Sequence, residues 1–466
     1  MKFVFINSPR IFAKNNIWRL INGITPPIGL ALLAAILERA GYDADIIDAF
    51  AEGLSSSEIM ERISPNVDFI GFTATTPEIN NVLALASSAR KRFPDAKILM
   101  GGVHSTIFHE KLVSDGLCDL VIRGEGEEAI LELAAGKPLE TVKNLTWRTG
   151  QGETIVNEMS STFVNLERLP SPAYHKLPMG RYHSALGAAR MEPSLGLITS
   201  RGCPGSCTFC FSGMFGKKVR YQSAEKIFSE MVFLRKKYGI REFSFYDDTF
   251  TADRKRVEDL CGLILAENLK ISWSCFARVD AVNGKILKLM KQAGCHQIMF
   301  GFESADEEVL KTINKKTGLK AAENAVALTR EAGINVRGAF MLGNPGETAE
   351  SMSETIRYAC RLPIQYAIFN ITTPFPGTKM YEWAKRENLL HHENWEEYDF
   401  AHPILKLEGL PPNLVGKFYK TAFREFYLRP SYVFRKLFER RTKFESRLYL
   451  RIFLNLLPRA LSFIFS

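Results

Sequence analysis

The stretch Ser-Arg-Gly-Cys-Pro-Gly-Ser-Cys-Thr-Phe-Cys, residues 200–210, holds three of the chain's eight cysteines, Cys203, Cys207 and Cys210, in a CxxxCxxC spacing. It follows an apolar run at 195–199 that predicts a β-strand. Thiolates spaced this closely can reach one metal centre. The other five cysteines are scattered inside apolar runs, which disfavours the disulfide framework of a secreted protein.

An alternation of strand-like and helix-like segments begins at this stretch and runs to about residue 371. The predicted strands are 195–199, 242–246, 271–276, 297–302, 335–341 and 365–371, and the predicted helices are 223–237, 253–267, 283–293, 318–332 and 347–360. Six strands linked in this way predict a partial (β/α)6 barrel. In such barrels the chemistry lies on loops after the carboxyl ends of the strands, which is where the cysteines fall.

The number of cysteines in this stretch helps to distinguish a zinc site from an iron–sulfur cluster. A structural zinc site needs four closed ligands, and the fourth would have to be His183 or Cys295, brought in by the fold. Three cysteines instead suit a 4Fe–4S cluster with one iron left open. An open iron can chelate the amino and carboxylate groups of S-adenosylmethionine and deliver the electron that cleaves its carbon–sulfur bond. Zinc, or three unrelated buried thiols, are the alternatives.

A separate alternation occupies residues 1 to about 135. Its predicted strands are 2–6, 44–48, 67–72, 97–100 and 119–122. This spacing predicts a doubly wound, Rossmann-like parallel sheet, whose ligand lies outside the carboxyl ends of the strands. The glycines that follow those ends either close tight turns or let a large flat ligand approach the backbone. No GxGxxG follows the first strand, so the standard dinucleotide fingerprint is missing.

The CxxxCxxC loop followed by six strand–helix repeats resembles the radical S-adenosylmethionine superfamily. The resemblance implies that the three loop cysteines hold a 4Fe–4S cluster. It also implies S-adenosylmethionine contacts on later loops: Asp247 in an acidic loop, Arg278 toward the methionine carboxylate, and Glu303 and Ser304 toward the amino group or ribose. Residues 338–347 resemble the adenine-side segment. Taken singly, each of these residues could instead serve in a cap, a turn or an ion pair.

A doubly wound domain ahead of such a barrel resembles the cobalamin-binding domain of cobalamin-dependent radical S-adenosylmethionine enzymes, a likeness that covers about residues 1–380. The matching segments are 27–30, 73–76, 101–104 and 124–127, and the implied cobalamin contacts are Thr73, Thr76, Gly101, Gly102, His104, Gly124, Glu125 and Gly126. The DxHxxG string with which cobalamin-dependent mutases ligate cobalt is absent. We therefore expect cobalt to lack a lower ligand from that motif, with His104 in a supporting role.

These patterns divide the chain into four parts. Residues 1–136 form the cobalamin-binding domain, and 137–190 form a linker with a small hairpin. Residues 191–384 form the partial barrel, and 385–466 form a basic, amphipathic and mostly helical C-terminal region. The first ten residues lack a long apolar segment and a cleavage site, so we expect a cytoplasmic protein.

The formal net charge of +9 comes from the last 56 residues of the chain. Residues 411–466 contain 12 Lys and Arg against three Glu, and residues 1–410 contain 48 charges of each sign. A neutral body argues against a nucleic-acid partner. Arg447, Arg451 and Arg459 disfavour a membrane span, because charges are costly inside a bilayer. We expect either an amphipathic helix in contact with a membrane surface or a subdomain packed on the barrel.

The resemblance implies an enzyme that cleaves S-adenosylmethionine reductively and methylates an unactivated carbon of a small-molecule or lipid-like substrate. The alternative is an oxidative cyclase or rearrangement enzyme that uses cobalamin without methyl transfer. Two further hypotheses are a sensor without turnover and a degenerate first domain that binds no cobalamin. A reduced flavodoxin or ferredoxin is the expected electron donor. The sequence identifies neither the substrate nor a catalytic side chain.

Overall fold

The computed structural model describes residues 1–9, 22–185, 187–211 and 213–438. These residues form two compact units. The first unit contains 1–9, 24–182 and 213–220, and the second contains 22–23, 183–185, 187–211 and 221–438. Three segments of the chain therefore build the first unit, and the last of them directly follows the cysteine stretch.

A seven-stranded sheet in the order β2-β1-β3-β4-β5-β6-β7 forms the centre of the first unit. Its strands are β1 (Lys2–Asn7), β2 (Asp43–Asp48), β3 (Phe69–Thr73), β4 (Lys97–Gly101), β5 (Leu120–Ile122), β6 (Leu145–Arg148) and β7 (Thr154–Val156). β1 to β5 pair in parallel, whereas β6 and β7 add an antiparallel hairpin beside β5. The strand order reverses between β1 and β3, which places a crevice at their carboxyl ends. The predicted Rossmann-like sheet is confirmed.

Short helices connect these strands and cover the sheet. They are α1 (Ile28–Arg39), α2 (Ala49–Glu52), α3 (Ser56–Arg62), α4 (Ile79–Arg92), α5 (Val103–Ile107), α6 (His109–Ser114) and α7 (Glu127–Ala134). α1 is apolar over most of its surface and buries seven of its 12 residues. Beneath the helices, Phe3 stacks on Phe69 with 4.7 Å between the ring centroids. The core of this unit thus lies between the helices and the apolar side chains of the sheet.

The second unit contains six parallel strands that neighbour one another in chain order. They are β8 (Ser194–Leu197), β11 (Glu242–Phe245), β12 (Ser272–Ala277), β13 (Cys295–Glu303), β14 (Asn335–Leu342) and β15 (Tyr366–Ile371). Two short strands, β9 (Ser200–Arg201) and β10 (Arg220–Tyr221), flank the cysteine stretch in sequence. The predicted partial barrel of six strand–helix repeats is confirmed.

The barrel strands separate a helix-covered outer face from an inner face. The covering helices are α8 (Ala224–Tyr238), α9 (Arg254–Ala266), α10 (Gly284–Gln292), α11 (Glu307–Thr312), α12 (Leu319–Glu331), α13 (Ala349–Arg361) and α14 (Lys379–Arg386). Phe340 and Phe369 stack 5.5 Å apart, and Phe423 of a later helix meets Phe369 at the same distance. Because side chains alternate along a strand, Ala339 and Ile368 face the barrel interior.

Two helices, α15 (Pro412–Tyr427) and α16 (Pro430–Phe438), follow the barrel. The Tyr427 hydroxyl accepts a hydrogen bond from Ala367 N at 3.2 Å and donates one to Ala367 O at 2.7 Å, so it satisfies backbone groups of the edge strand β15. Residues 439–466, which include Arg447, Arg451 and Arg459 of the predicted amphipathic tail, lie outside the described residues. Among the helices that the structure describes, none combines the length and apolar character needed to cross a bilayer.

Candidate functional site

The cysteines of the CxxxCxxC stretch lie on the loop that follows β8 and β9, at the carboxyl side of the barrel. All three are free thiols; Cys203 and Cys207 are half-buried and Cys210 is exposed. Of the remaining cysteines, Cys118, Cys261, Cys275 and Cys295 are buried and Cys360 is half-buried. The loop therefore presents three accessible thiols at the edge of the sheet where barrel chemistry takes place.

These three thiols have the chemistry of iron–sulfur cluster ligands. Cys203 and Cys207 both act electrostatically on Cys210, so the three are near neighbours. A 4Fe–4S cluster is bound through thiolates on different irons, so its ligands stand apart from one another. The donor set therefore matches the cluster that the spacing predicts.

The structure places the residues considered for zinc elsewhere. His183 is exposed, and its Nδ1 lies 3.3 Å from Ser184 O. Cys295 is the first residue of β13, at the amino end of that strand, and it is buried against Cys275. The cysteine loop follows the carboxyl end of β8, which is the opposite edge of the sheet.

Asp247, predicted as a cofactor contact, supports the start of the cysteine loop. Its side chain is fully buried. Oδ1 accepts hydrogen bonds from Thr199 N at 2.6 Å and Ser200 N at 3.0 Å. Oδ2 accepts from Thr199 Oγ1 at 2.6 Å and from Arg256 Nη2 at 3.2 Å. With both oxygens engaged, Asp247 fixes the backbone that leads into the loop.

The neighbouring acid, Asp248, acts on one of the cysteines, Cys210. It is exposed in the loop after β11. Surrounding protein atoms partly desolvate the sulfur of Cys210, which is the main cause that raises its pKa to about 11, and the charge of Asp248 adds to it. The thiolate form that binds iron therefore depends on the positive charge of the metal.

A segment that the sequence analysis missed, Ile313–Lys315, holds the cysteine loop from the other side. Ile313 O accepts a hydrogen bond from Thr208 N at 3.0 Å. Asn314 Nδ2 donates to Ser206 O at 2.7 Å and to Ser206 Oγ at 2.9 Å. Asn314 has a φ of +54°, as is common for Asn just after a helix. That local signal predicts the end of α11 but not the contact with the cysteine loop.

Arg278, predicted toward the methionine carboxylate, follows β12. Its Nε and Nη2 donate to Oδ1 and Oδ2 of Asp280 at 2.9 and 2.8 Å. Its Nη1 lies 3.6 Å from the position that a Cβ would take at Gly205 in the cysteine loop. Arg278 thus faces the loop with Nη1, while Asp280 occupies its other two nitrogens.

Glu303, predicted toward the amino group or ribose, ends β13 with a φ of +67°, a backbone conformation that non-glycine residues rarely adopt. Its Oε1 accepts a hydrogen bond from Lys315 Nζ at 2.7 Å. A Cβ at Gly301 would clash with Glu303 Oε1 and would stand 3.1 Å from Lys315 Nζ. Burial opposes the charge of Lys315, but attraction by Glu303 outweighs burial and raises the pKa of Lys315. The sequence analysis did not identify Lys315.

Ser304 and Glu347 lie inside the protein rather than on an open surface. Ser304 is fully buried; its Oγ lies 3.3 Å from Thr355 Oγ1 and accepts from Asp306 N at 3.1 Å. Ser304 therefore shapes the turn after Glu303. In residues 338–347, the segment predicted for the adenine side, Glu347 Oε2 accepts from the backbone N of residue 344 at 2.8 Å, and burial raises the pKa of Glu347 to about 7.

In the first unit, five of the predicted cobalamin residues come together after β3 and β4. Gly101 is the last residue of β4 and pairs with Thr73. Gly102 has a φ of +88°, and a Cβ there would stand 2.7 Å from Thr73 Oγ1. His104 is buried, with Nδ1 3.3 Å from Thr76 Oγ1, and burial lowers its pKa to about 4. His104 is therefore neutral and held within the turn.

The remaining predicted residues, Gly124, Glu125 and Gly126, form the turn between β5 and α7. Gly124 has a φ of +69°, and Gly126 directly precedes α7. Glu125 Oε1 accepts from Arg220 Nη2 at 2.8 Å, and Oε2 accepts from Arg220 Nη1 at 3.1 Å and Val164 N at 2.9 Å. Both carboxylate oxygens of Glu125 already accept hydrogen bonds. The backbone of the turn is therefore better placed than this carboxylate to contact a ligand.

Comparison with known proteins agrees with both units. The family profile of the radical SAM superfamily matches residues 197–359, and that of the B12 binding domain matches residues 18–134. An uncharacterized methyltransferase of Pyrococcus horikoshii is 36% identical over 447 residues, which cover 94% of this chain and 95% of the relative. An anaerobic magnesium-protoporphyrin IX monomethyl ester cyclase of Rubrivivax gelatinosus is 26% identical over 426 residues, covering 89% and 76%.

A solved structure shows the same fold. It is the radical S-adenosylmethionine methyltransferase TsrM from Kitasatospora setae, with cobalamin and a 4Fe–4S cluster bound. It superposes with a TM-score of 0.68 and 16% sequence identity, covering 92% of this chain and 90% of that one. Together with the near full-length match to the P. horikoshii relative, these findings confirm the family predicted from the cysteine spacing. The chain belongs to the radical S-adenosylmethionine superfamily, in the group whose barrel follows a B12-binding domain.

Proposed function

We propose that the chain is a cobalamin-dependent methyltransferase that acts on an unactivated carbon of a small-molecule or lipid-like substrate. The observation that carries the proposal is a loop of three free thiols, at the carboxyl side of a partial barrel, in the same chain as a B12-binding fold. The relative with 36% identity is named a methyltransferase. The similarity to a cyclase supports the second candidate, an oxidative cyclase that uses cobalamin without methyl transfer.

In this proposal each unit supplies one cofactor site. Cys203, Cys207 and Cys210 would hold the cluster, and the turns after β3, β4 and β5 would hold cobalamin. When bound, the reduced cluster supplies the electron that cleaves S-adenosylmethionine, and cobalamin carries the methyl group. Each turnover consumes two molecules of S-adenosylmethionine, one as methyl donor and one as source of the radical that removes a hydrogen atom from the substrate.

The domain boundaries of the proposal are those predicted from the sequence. They are 1–136 for the cobalamin-binding domain, 137–190 for the linker, 191–384 for the barrel and 385–466 for the C-terminal region. The matched ranges 18–134 and 197–359 fall inside the first and third of these. Two segments are exceptions in the structure: residues 213–220 belong to the first compact unit, and residues 22–23 belong to the second.

A cytoplasmic location and a reduced flavodoxin or ferredoxin as electron donor complete the proposal. All eight cysteines are free thiols, as is usual in reducing compartments. Contact with a membrane surface is supported by Phe434 and Phe438 of α16, which are 66% and 77% exposed. Flotation with anionic phospholipid vesicles tests that contact, and a Phe434→Ser/Phe438→Ser double variant should float less than the unaltered chain.

The decisive experiment is anaerobic reconstitution with iron, sulfide and hydroxocobalamin, followed by dithionite and methyl-labelled S-adenosylmethionine. We expect 5′-deoxyadenosine to form and label to appear on cobalamin. Replacing the three loop cysteines by Ala should abolish 5′-deoxyadenosine, whereas Cys360→Ala, a half-buried cysteine outside the loop, should not. Formation of 5′-deoxyadenosine with bound cobalamin that never becomes methylated would favour the cyclase. Absence of both products would contradict the proposal.

A further inference from the structure

The part of the chain that carries the cysteines contains no acidic residue. From residue 193 to residue 224 there is neither Asp nor Glu, whereas Arg201, Lys217, Lys218 and Arg220 supply four positive charges. Residues 1–410 as a whole hold equal numbers of positive and negative charges. The cysteine stretch and the residues that follow it are therefore a basic segment within a neutral body.

Two of these positive charges are free to act on another molecule. Lys217 and Lys218 are exposed, and none of the residues that the structure describes forms an ion pair or a hydrogen bond with either side chain. Arg220, in contrast, is paired with Glu125, with 2.8 Å between Nη2 and Oε1. Exposed, unpaired charges attract a partner of opposite sign over about 10 Å at 0.1 M ionic strength. The two lysines therefore favour a partner with an acidic surface.

Exposed apolar side chains lie in the same compact unit as the two lysines. Met159 and Phe163 are 50% and 48% exposed, and they line one groove together with Met214. The Phe163 ring also approaches Gly216 so closely that a Cβ there would stand 2.9 Å from Cζ. Gly216 directly precedes Lys217. Apolar contacts bordered by charged side chains are the usual composition of a protein–protein interface.

Along the chain this surface begins beside the most accessible of the three loop thiols. Cys210 is exposed, whereas the other two thiols are half-buried. The chain enters the first unit at Gly213, three residues later, and three residues of extended chain span at most about 11 Å. Transfer of an electron between two proteins requires that their redox groups come close together. A partner that delivers an electron to a cluster on these thiols is therefore served by a binding surface that starts here.

We infer that Met159, Phe163, Lys217 and Lys218 form the docking surface for a reduced flavodoxin, an inference that rests on the proposed function. The lysines face acidic side chains of the flavodoxin, and the apolar pair suits the apolar dimethylbenzene edge of its flavin. The anionic flavin hydroquinone becomes the neutral semiquinone and the oxidised cluster gains the electron, so no bond or proton is exchanged. A small surface suffices, because electron-transfer complexes bury less than about 1,200 Å².

The first readout is binding. The full chain is reconstituted with iron, sulfide and hydroxocobalamin, and its dissociation constant for an oxidised, acidic flavodoxin is measured by surface plasmon resonance. In Lys217→Glu/Lys218→Glu we expect the affinity to fall at least about 10-fold at about 0.05 M salt and less than about threefold at about 0.5 M, because salt screens exposed charges. Lys236→Glu/Lys237→Glu, in two exposed lysines at the end of α8, makes the same change of net charge and should keep the unaltered affinity.

The second readout compares two reductants. Formation of 5′-deoxyadenosine is driven either by reduced flavodoxin, at a concentration below its dissociation constant, or by dithionite. Dithionite is a small ion that needs no docking surface. In Lys217→Glu/Lys218→Glu we expect the rate with flavodoxin to fall at least about 10-fold and the rate with dithionite to stay within about twofold of that of the unaltered chain.

Four results would overturn the assignment. They are an unchanged affinity for flavodoxin in Lys217→Glu/Lys218→Glu, an equal loss in Lys236→Glu/Lys237→Glu, an equal loss of the dithionite-driven rate, and a loss of affinity for an acidic 4Fe–4S ferredoxin but not for flavodoxin. The second result would show an effect of net charge, and the third would show damage to the cysteine loop. An unaltered chain that holds a cluster and forms no 5′-deoxyadenosine with dithionite would instead refute the proposed function itself.

Discussion

Arg256 Nη2 and Asp247 Oδ2 lie 3.2 Å apart in an ion pair whose side chains are 4% and 0% exposed. Arg256 also donates to Thr199 O at 3.2 Å and to Phe250 O at 2.9 Å. Its guanidinium carbon lies 4.8 Å from the ring centroid of Tyr221. Thr199 precedes the cysteine stretch and Tyr221 follows it, so the guanidinium of Arg256 contacts a residue at each end of the stretch.

Replacing Asp247 by Asn should therefore loosen the cysteine loop. The amide keeps the volume of the carboxylate but leaves Arg256 as a buried charge without its partner, and breaking a buried pair costs about 3–5 kcal/mol. We expect Asp247→Asn to hold less iron and sulfide per chain after reconstitution. Lys255→Met is the control, because Lys255 adjoins Arg256 but is 81% exposed. Iron and sulfide contents equal to those of the unaltered chain would show that the pair does not support the loop.

The strands and the cysteine loop could be predicted because their signals are local. β13 is predicted at 297–302 and found at Cys295–Glu303, and β15 is predicted at 365–371 and found at Tyr366–Ile371. Both are short apolar runs between loop residues, a pattern that a buried parallel strand requires. The CxxxCxxC spacing likewise lies within a single loop.

Contacts between distant segments could not be predicted in this way. The Ser206–Asn314 hydrogen bonds join residues 108 positions apart, and the Glu125–Arg220 pair joins residues 95 positions apart. No periodicity or propensity connects such positions before the fold is known. For the same reason the sequence marks Asp247 as a cofactor contact, whereas the structure engages both of its oxygens at the base of the loop.

The Glu125–Arg220 pair joins the turn before α7 to the segment that follows the cysteines, both within the first unit. Arg220 also lies over the Phe163 ring, 4.4 Å from its centroid. Arg220→Met would leave Glu125 buried and without this partner, at a cost of about 3 kcal/mol. We expect a lower melting temperature and less cobalamin retained per chain after gel filtration, measured from the corrinoid absorbance.

Lys218→Met provides the matched control, since Lys218 is an exposed cation two residues away. It should change neither the melting temperature nor the retained cobalamin. If Arg220→Met lowered the melting temperature but retained cobalamin fully, the pair would stabilise the first unit without positioning the turn.

Gly102→Ala should disturb the turn between β4 and α5. The residue has a φ of +88°, and a Cβ would stand 2.7 Å from Thr73 Oγ1 and 2.9 Å from the backbone O of residue 74. Strain and collision together should cost more than about 1 kcal/mol. We expect a lower melting temperature and weaker cobalamin binding. Gly262→Ala in α9 is the control, because none of the described atoms lies within 4 Å of the added methyl group and Ala favours a helix.

Glu347 should make the stability of the second unit depend on pH. Burial raises its pKa from 4.5 to about 7 in the folded chain, while the unfolded chain keeps the ordinary value. Between pH 4.5 and 7 the folded state therefore holds a proton that the unfolded state has lost, so the free energy of unfolding falls as the pH rises. The fall across this window is about 3 kcal/mol, and it is complete above pH 7.

Glu347→Gln isolates this contribution, because an amide does not titrate and its oxygen still accepts from the backbone N of residue 344. The free energy of unfolding of the variant, minus that of the unaltered chain, should grow from pH 5 to pH 8 in urea titrations. Glu350→Gln is the control. Glu350 is exposed in the first turn of α13, where a backbone hydrogen bond lowers its pKa below 4.5. Since Glu350 is therefore ionised in both the folded and the unfolded chain above pH 5, its difference should stay constant from pH 5 to pH 8. A parallel growth in both variants would show that the Glu347 effect does not come from its burial.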